Sequence, residues 1–303
     1  MPHLHLVAIA HIGAANATQP GDSKQAPARG MLANVLKLAR PAALSLTVWT
    51  LLLAQSSGRS AAADLEGPLR TQYHDDGRIS ERSLFVEAVG EPVSFLQAGP
   101  AGSKRLVVLI HGAVFSANTW KWVGTIDTLA ARGFRVVALE LHQYSGALSS
   151  ERVRSHLLRD FLKALGWTAG PRSVLVVAAS AGGTIAIPYI LDPVGSQTVA
   201  GYCSISALVP PSASDASPSK LPALLVWGEL DHPGSAKALA TKHLFPSHQF
   251  VILPDAPHPA YLKEPKRFNE LVARFASGHP TGLPGHAQTL TAVASWREAA
   301  DEL

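Results

Sequence analysis

Val176-Val177-Ala178-Ala179-Ser180-Ala181-Gly182-Gly183 is the stretch that decides the architecture. An apolar run meets a serine, and the residues after it, through Leu191, take up helical spacing. A strand that turns at once into a helix brings the two backbones close together around the residue between them. Side chains two before and two after that residue must then be very small, and Ala178 and Gly182 satisfy this. The pattern matches a nucleophile elbow with alanine in place of its first glycine, a turn whose central serine takes a strained backbone conformation. A serine that merely caps a helix also produces Ser-x-Gly. It does not, however, call for an apolar strand before it and small residues on both sides.

Working outward, continuous apolar runs occur at Leu106–Ile110, Phe134–Leu141, Val174–Ala179, Tyr202–Leu208, Ala223–Trp227 and Phe250–Leu253. Runs without alternation indicate strands buried on both faces. Between them lie segments of helical spacing at Thr119–Arg132, Ser150–Leu165, Ala181–Leu191, Ser235–Leu244 and Arg267–Ala276. Alternating strands and helices predict a mostly parallel, twisted sheet with helices on both faces. Ahead of this region, Ser83–Val89 and Val93–Ala98 alternate around Gly90-Glu91-Pro92, which predicts an antiparallel hairpin.

Three further strand ends carry chemistry. Leu106–Ile110 runs into His111-Gly112-Ala113, some 70 residues before the serine. There the backbone N–H groups of Ala113 and Ala181 are expected to face a developing oxyanion. His111 is expected to brace the turn rather than act as a base. Leu225-Val226-Trp227-Gly228-Glu229-Leu230-Asp231 places a carboxylate just past a strand, and Phe250–Leu253 is followed by a short loop presenting His258. The order Ser180, Asp231, His258 is the one the α/β-hydrolase fold requires. Neutral His258 would take the serine proton, and Asp231 would fix the histidine tautomer. Glu229 and Asp255 compete with Asp231 for the acid role, and Asp231 is the assignment made.

Taken together, these segments resemble the α/β-hydrolase domain-containing protein 14 family. The matching residues are His111-Gly112-Ala113-Val114-Phe115-Ser116 with Thr119-Trp120, the elbow with Ile187-Pro188-Tyr189, and His258-Pro259-Ala260-Tyr261-Leu262 with Pro265. The likeness covers about residues 83–277. It implies a compact, capless hydrolase acting on small acyl esters. It also implies acyl transfer from protein lysine to coenzyme A, an activity proposed for one member. Coenzyme A is a cytosolic thiol, so an exported enzyme would hand its acyl group to water.

The chain itself argues against an inserted cap domain, because only 14 residues, with Pro210, Pro211 and Pro218 among them, separate Leu208 from Ala223. An open, shallow pocket is expected, walled by Phe115, Trp120, Tyr144 and Tyr261. For each of these aromatics, core packing is an equal alternative.

The formal charge of +4 resides in residues 1–63, which hold five Lys/Arg and one Asp; the remaining 240 residues balance at 21 against 21. Nucleic acid is therefore not an expected partner. In the leader, Lys37 and Arg40 precede an uncharged run from Pro41 to Ala54, and Ser60-Ala61-Ala62-Ala63 follows. This is the layout of a signal peptide, with Met31 as the expected start and export to the periplasm or medium as the expected outcome. An uncleaved membrane anchor is the alternative, since 18 uncharged residues separate Arg40 from Arg59. Residues 64–82 read as a linker, 83–277 as the hydrolase domain and 278–303 as a flexible tail. The single cysteine, Cys203, reads as a small core hydrophobe. No metal-ligand spacing, phosphate-binding glycine loop or dinucleotide fingerprint occurs, so neither cofactor nor metal is expected.

The expectation is a serine hydrolase for small acyl esters or thioesters. A haloperoxidase-like perhydrolase or acyltransferase on the same residues, and a non-catalytic binding protein of the same fold, are the alternatives.

Overall fold

In the computed structural model, which describes residues 79–278, eight strands form one sheet in the order β1-β2-β4-β3-β5-β6-β7-β8. They are β1 (Ser80–Val86), β2 (Glu91–Ala98), β3 (Leu106–Ile110), β4 (Arg135–Leu139), β5 (Val174–Ala179), β6 (Val199–Ile205), β7 (Ala223–Gly228) and β8 (His248–Leu253). From β3 to β8 all pairings are parallel, while β1 and β2 join antiparallel at one end. The leader, most of the predicted linker, and the tail beyond Gly278 lie outside the described residues.

The unbroken apolar runs do face two cores. Along β3, Val107 and Leu109 join a cluster with Trp120, Ile126, Leu129, Phe268 and Val272. Leu106, Val108 and Ile110 join the opposite cluster, with Leu157, Phe161, Ile185 and Ile187. Helices α1 (Ala117–Trp122), α2 (Thr125–Ala130) and α7 (Pro265–Ala276) supply the first cover. The second comes from α3 (Glu151–Ala164) and α4 (Gly183–Leu191), joined by the end of α6 (Ala236–Leu244). Between β6 and β7 the chain forms a single 3₁₀ turn, Pro211–Ala213, and no cap domain.

Several boundaries differ from those expected. β1 begins at Ser80, inside the stretch read as linker. Its residues are mostly exposed, so no apolar alternation marks its start. The predicted helix 119–132 is two helices, α1 and α2, separated at Gly124, which takes a left-handed φ of 75°. Asn269 of α7 stabilises the break by donating to Val123 O at 2.6 Å, and it pairs with the Thr125 hydroxyl, also at 2.6 Å. Strand β6 starts and ends three residues earlier than the apolar run implied. At Ser206 the backbone turns to a φ of 45°, and Ala207 is buried without belonging to a strand. Helix α5 (Pro193–Thr198) was not anticipated, although its signal is present: Asp192 caps Val194 N–H at 2.8 Å and Pro193 opens the first turn.

Candidate active site

Four strands end on the same edge of the sheet: β3 before His111, β5 before Ser180, β7 before Glu229 and Asp231, and β8 before the loop that carries His258. Loops beyond the carboxyl ends of parallel strands are where open α/β sheets place their ligands.

Ser180 takes a φ of 48°, the left-handed region that a side chain normally avoids. The turn is held from both sides. Ser180 O accepts Leu208 N–H at 2.8 Å, and the two following glycines allow the chain to pass tightly. A Cβ on Gly182 would sit 2.9 Å from Ile110 O, and one on Gly183 would sit 2.5 Å from Leu208 O. Ala178 is fully buried. The requirement for small residues around the serine thus comes from backbone atoms of β3 and of the segment after β6.

The turn after β3 lies against the same serine, because a Cβ on Gly112 would be 3.3 Å from Ser180 Cβ. Gly112 O is contacted by His111 Nδ1 at 2.7 Å and accepts Phe115 N–H at 3.1 Å. His111 Nε2 accepts Leu141 N–H at 3.0 Å, so the ring proton must be on Nδ1 and is donated to Gly112 O. His111 is therefore fully engaged in bracing. Ala113 N–H donates to no group among the described residues, and Ala181 N–H lies in the first turn after the serine, where donors lack intrahelical partners.

His258 Nδ1 is 2.8 Å from Asp231 Oδ2. Nε2 is left for another partner, and no hydrogen bond joins it to Ser180 among the described residues; such bonds often tighten only when substrate is present. Two further contacts join the loops that carry this pair. Leu230 N–H donates to Ala256 O at 3.0 Å, and Asp255 N–H donates to Glu229 Oε2 at 3.0 Å. Glu229 and Asp255 thus bond each other's loops while Asp231 meets the histidine. From within the core, Trp227 Nε1 donates to Asp231 O at 2.8 Å and fixes the acid's backbone. The His258 side chain is 39% exposed, so the site opens directly to solvent.

Of the four aromatics expected to wall the pocket, three form one cluster. Trp120 stacks on Tyr261 at 4.8 Å, and Phe115 meets Tyr261 edge-on at 6.5 Å. Trp120 and Tyr261 are fully buried, whereas Phe115 keeps 8% of its surface and packs next to Gly112. Burial raises the Tyr261 pKa and keeps its hydroxyl neutral. Tyr144 does not join them. It belongs to the opposite core, and its hydroxyl donates to Pro92 O of β2. Cys203 is buried, and its pKa is raised by that burial, so it is no nucleophile. Sequence reasoning passed over Glu140, which lies just past β4. Its carboxylate accepts Ala117 N–H at 3.0 Å and His142 N–H at 3.2 Å.

A model of the "Alpha/beta hydrolase family" matches residues 107–219. Human ABHD14B, which carries the provisional name of a protein-lysine deacylase, is 30% identical over 211 residues, covering 66% of this chain and 97% of its own. ABHD14A of Danio rerio is 30% identical over 203 residues, covering 61% and 72%. Among solved structures, a predicted CIB-like hydrolase from Thermoplasma acidophilum superposes with a TM-score of 0.55 at 22% identity, over 65% of this chain and 98% of that one. Carboxylesterase CesB of Bacillus subtilis gives a TM-score of 0.51 at 16% identity, over 66% and 93%; at such identities the likeness is one of fold. With its sheet order, its strained serine turn and these relatives, the chain belongs to the α/β-hydrolase family, in the ABHD14 group.

Proposed function

We propose that the protein is a serine hydrolase that cleaves small acyl esters or thioesters through an acyl-Ser180 intermediate. The observation that carries this reading is the meeting of a left-handed Ser180, the Gly112 turn packed against it and the His258–Asp231 bond on one edge of the sheet. Ser180 Oγ attacks the carbonyl carbon while His258 Nε2 accepts its proton. Asp231 holds Nδ1–H and stabilises the imidazolium. The negative oxygen rests on the N–H groups of Ala113 and Ala181, where one such donor contributes about 3 kcal/mol. His258 then returns the proton to the leaving alcohol or thiol. Water, deprotonated by the same histidine, attacks the acyl-serine and releases the acid.

The absence of a cap between β6 and β7 and the exposure of His258 favour small, freely diffusing substrates. Phe115, which keeps 8% of its surface next to Gly112, is the aromatic we expect to touch them, and it packs on Tyr261, which stacks on Trp120. The name of the ABHD14B relative brings acyl-lysine amides into the same class of acyl donor, so these belong in the substrate panel. The test is Ser180→Ala, assayed with fluorophosphonate labelling and nitrophenyl esters. Labelling is expected to vanish and kcat to fall by several orders of magnitude at an unchanged melting temperature. A fully active variant would refute the reading. Export is the companion proposal. It is supported by the Lys37/Arg40 charges and the apolar run after them, and N-terminal sequencing of protein recovered outside the inner membrane should start near Asp64.

A further inference from the structure

The oxyanion donor Ala113 owes its direction to a single peptide plane. In a trans peptide the carbonyl and the N–H point to opposite sides. Gly112 O is drawn into the protein by His111 Nδ1–H and Phe115 N–H, so Ala113 N–H is turned to the other side. The same peptide runs beside Ser180.

What holds His111 is the turn after β4. Leu141 N–H donates to its Nε2 and thereby fixes the tautomer that leaves a proton on Nδ1. Glu140 occupies the position just before Leu141. One of its oxygens takes His142 N–H and closes the turn around Leu141; the other takes Ala117 N–H, the first backbone donor of α1, at the far end of the loop that begins at Gly112. Its carboxylate also lies 3.6 Å from His111 Nε2, beyond hydrogen-bond range. One half-buried side chain therefore bonds the finish of the loop at Ala117 directly and steadies its start at His111 through the turn that carries Leu141.

We propose that Glu140 is a positioning residue that sets the aim of the Ala113 N–H by clamping both ends of the 112–116 loop. The assignment rests on Ser180 being the nucleophile, with Ala113 as one of its oxyanion donors. Burial alone would raise the pKa of Glu140, yet its value is lowered; the N–H groups of Ala117 and His142 hold the charged form, which keeps both oxygens available as acceptors.

Glu140→Gln tests this. The amide keeps one accepting oxygen and replaces the other with an NH₂ that meets a backbone N–H, donor against donor. A misaimed donor should stabilise the transition state less while leaving ground-state binding alone. We expect kcat for nitrophenyl acetate to fall roughly ten- to a hundredfold, short of the 10²–10³ lost when a donor is removed outright, with KM within about twofold. The rate of fluorophosphonate labelling should fall in parallel, and its end point should remain stoichiometric. Thr119→Val is the control for mere loosening of α1. It removes the hydroxyl that accepts Ser116 N–H at 3.4 Å, a group bonded to neither Glu140 nor His111 among the described residues, so kcat should hold. A Glu140→Gln enzyme with wild-type kcat and labelling rate overturns the proposal, and so does a Thr119→Val enzyme that loses as much kcat. Wild-type protein that fails to label, or a Ser180→Ala protein that still labels, overturns the reading of Ser180 instead.

Discussion

Gly183 offers a sharp test of the packing that creates the serine turn. An alanine there places its Cβ 2.5 Å from Leu208 O, 2.8 Å from Ala207 Cβ and 2.9 Å from Leu208 N. To reach the 3.4 Å at which ordinary contact begins, Leu208 O must retreat by about 0.9 Å. That atom cannot move alone, because Leu208 N–H is bonded to Ser180 O at 2.8 Å. Overpacking of this kind costs about 1–3 kcal/mol, and the strained hydrogen bond adds about 1 kcal/mol. A loss of about 2–4 kcal/mol corresponds to a drop in melting temperature of about 4–16 °C for a domain of this size. Since the retreating segment holds the serine backbone, kcat should fall as well. Thermal unfolding followed by circular dichroism, alongside nitrophenyl acetate turnover, measures both. Gly146→Ala is the reference, because nothing lies within 4 Å of its added Cβ and its φ is −63°. A Gly183→Ala protein with the melting temperature and kcat of that reference would show that the close approach does not shape the turn.

Asp231→Asn should lower kcat by roughly 10⁴-fold through the wrong His258 tautomer, whereas Glu229→Gln, which keeps an acceptor for Asp255 N–H, should lower it by less than about tenfold; the reverse order in steady-state assays would reassign the acid. Because the folded-state pKa of Glu140 lies below its unfolded value, its contribution to stability is complete above the ordinary glutamate range, about pH 4.3, and is lost as pH falls through the lower folded value. Urea melts of wild type and Glu140→Gln should therefore differ at pH 7 and converge in acid, and a constant gap would contradict this. With no cap between β6 and β7 to enclose a long chain, the gain of about 0.8 kcal/mol per buried methylene should stop after a few carbons. The specificity constant should then peak between acetyl and about hexanoyl esters, and a steady rise to laurate would show a covered pocket.

The elements that were legible in the sequence are those whose burial is complete. Strands β3 and β5 are apolar throughout, and their predicted bounds coincide with the observed ones. Ser180 and Asp231 each come shortly after a fully buried strand, β5 and β7, whereas His258 follows the partly exposed β8 across a short loop. β1 was mis-bounded because its exposed residues carry no pattern, and the α1–α2 break because a helical period continues across Gly124. For Tyr144, pocket wall and core packing are equal readings of the sequence; it packs in the core, where its hydroxyl bonds Pro92 O across 52 residues, a contact that leaves no local signal. Glu140 and Glu229 were not recognised as braces for a similar reason. Each supports a backbone N–H more than twenty residues away, and such a contact leaves no local spacing to read.

The order of the strands divides the site into parts of unequal permanence. Ser180 springs from β5, which is paired on both sides, whereas His258 follows β8, which among the described residues is an outer strand with β7 as its sole neighbour in the sheet. Fraying begins at edges, since opening an outer strand breaks one ladder and opening an inner one breaks two. Warmed gradually, the molecule would first release His258 while Ser180 stays on an intact turn. Heat inactivation would then run ahead of unfolding and be reversible on cooling, with the periphery of the sheet, rather than its core, setting the upper working temperature.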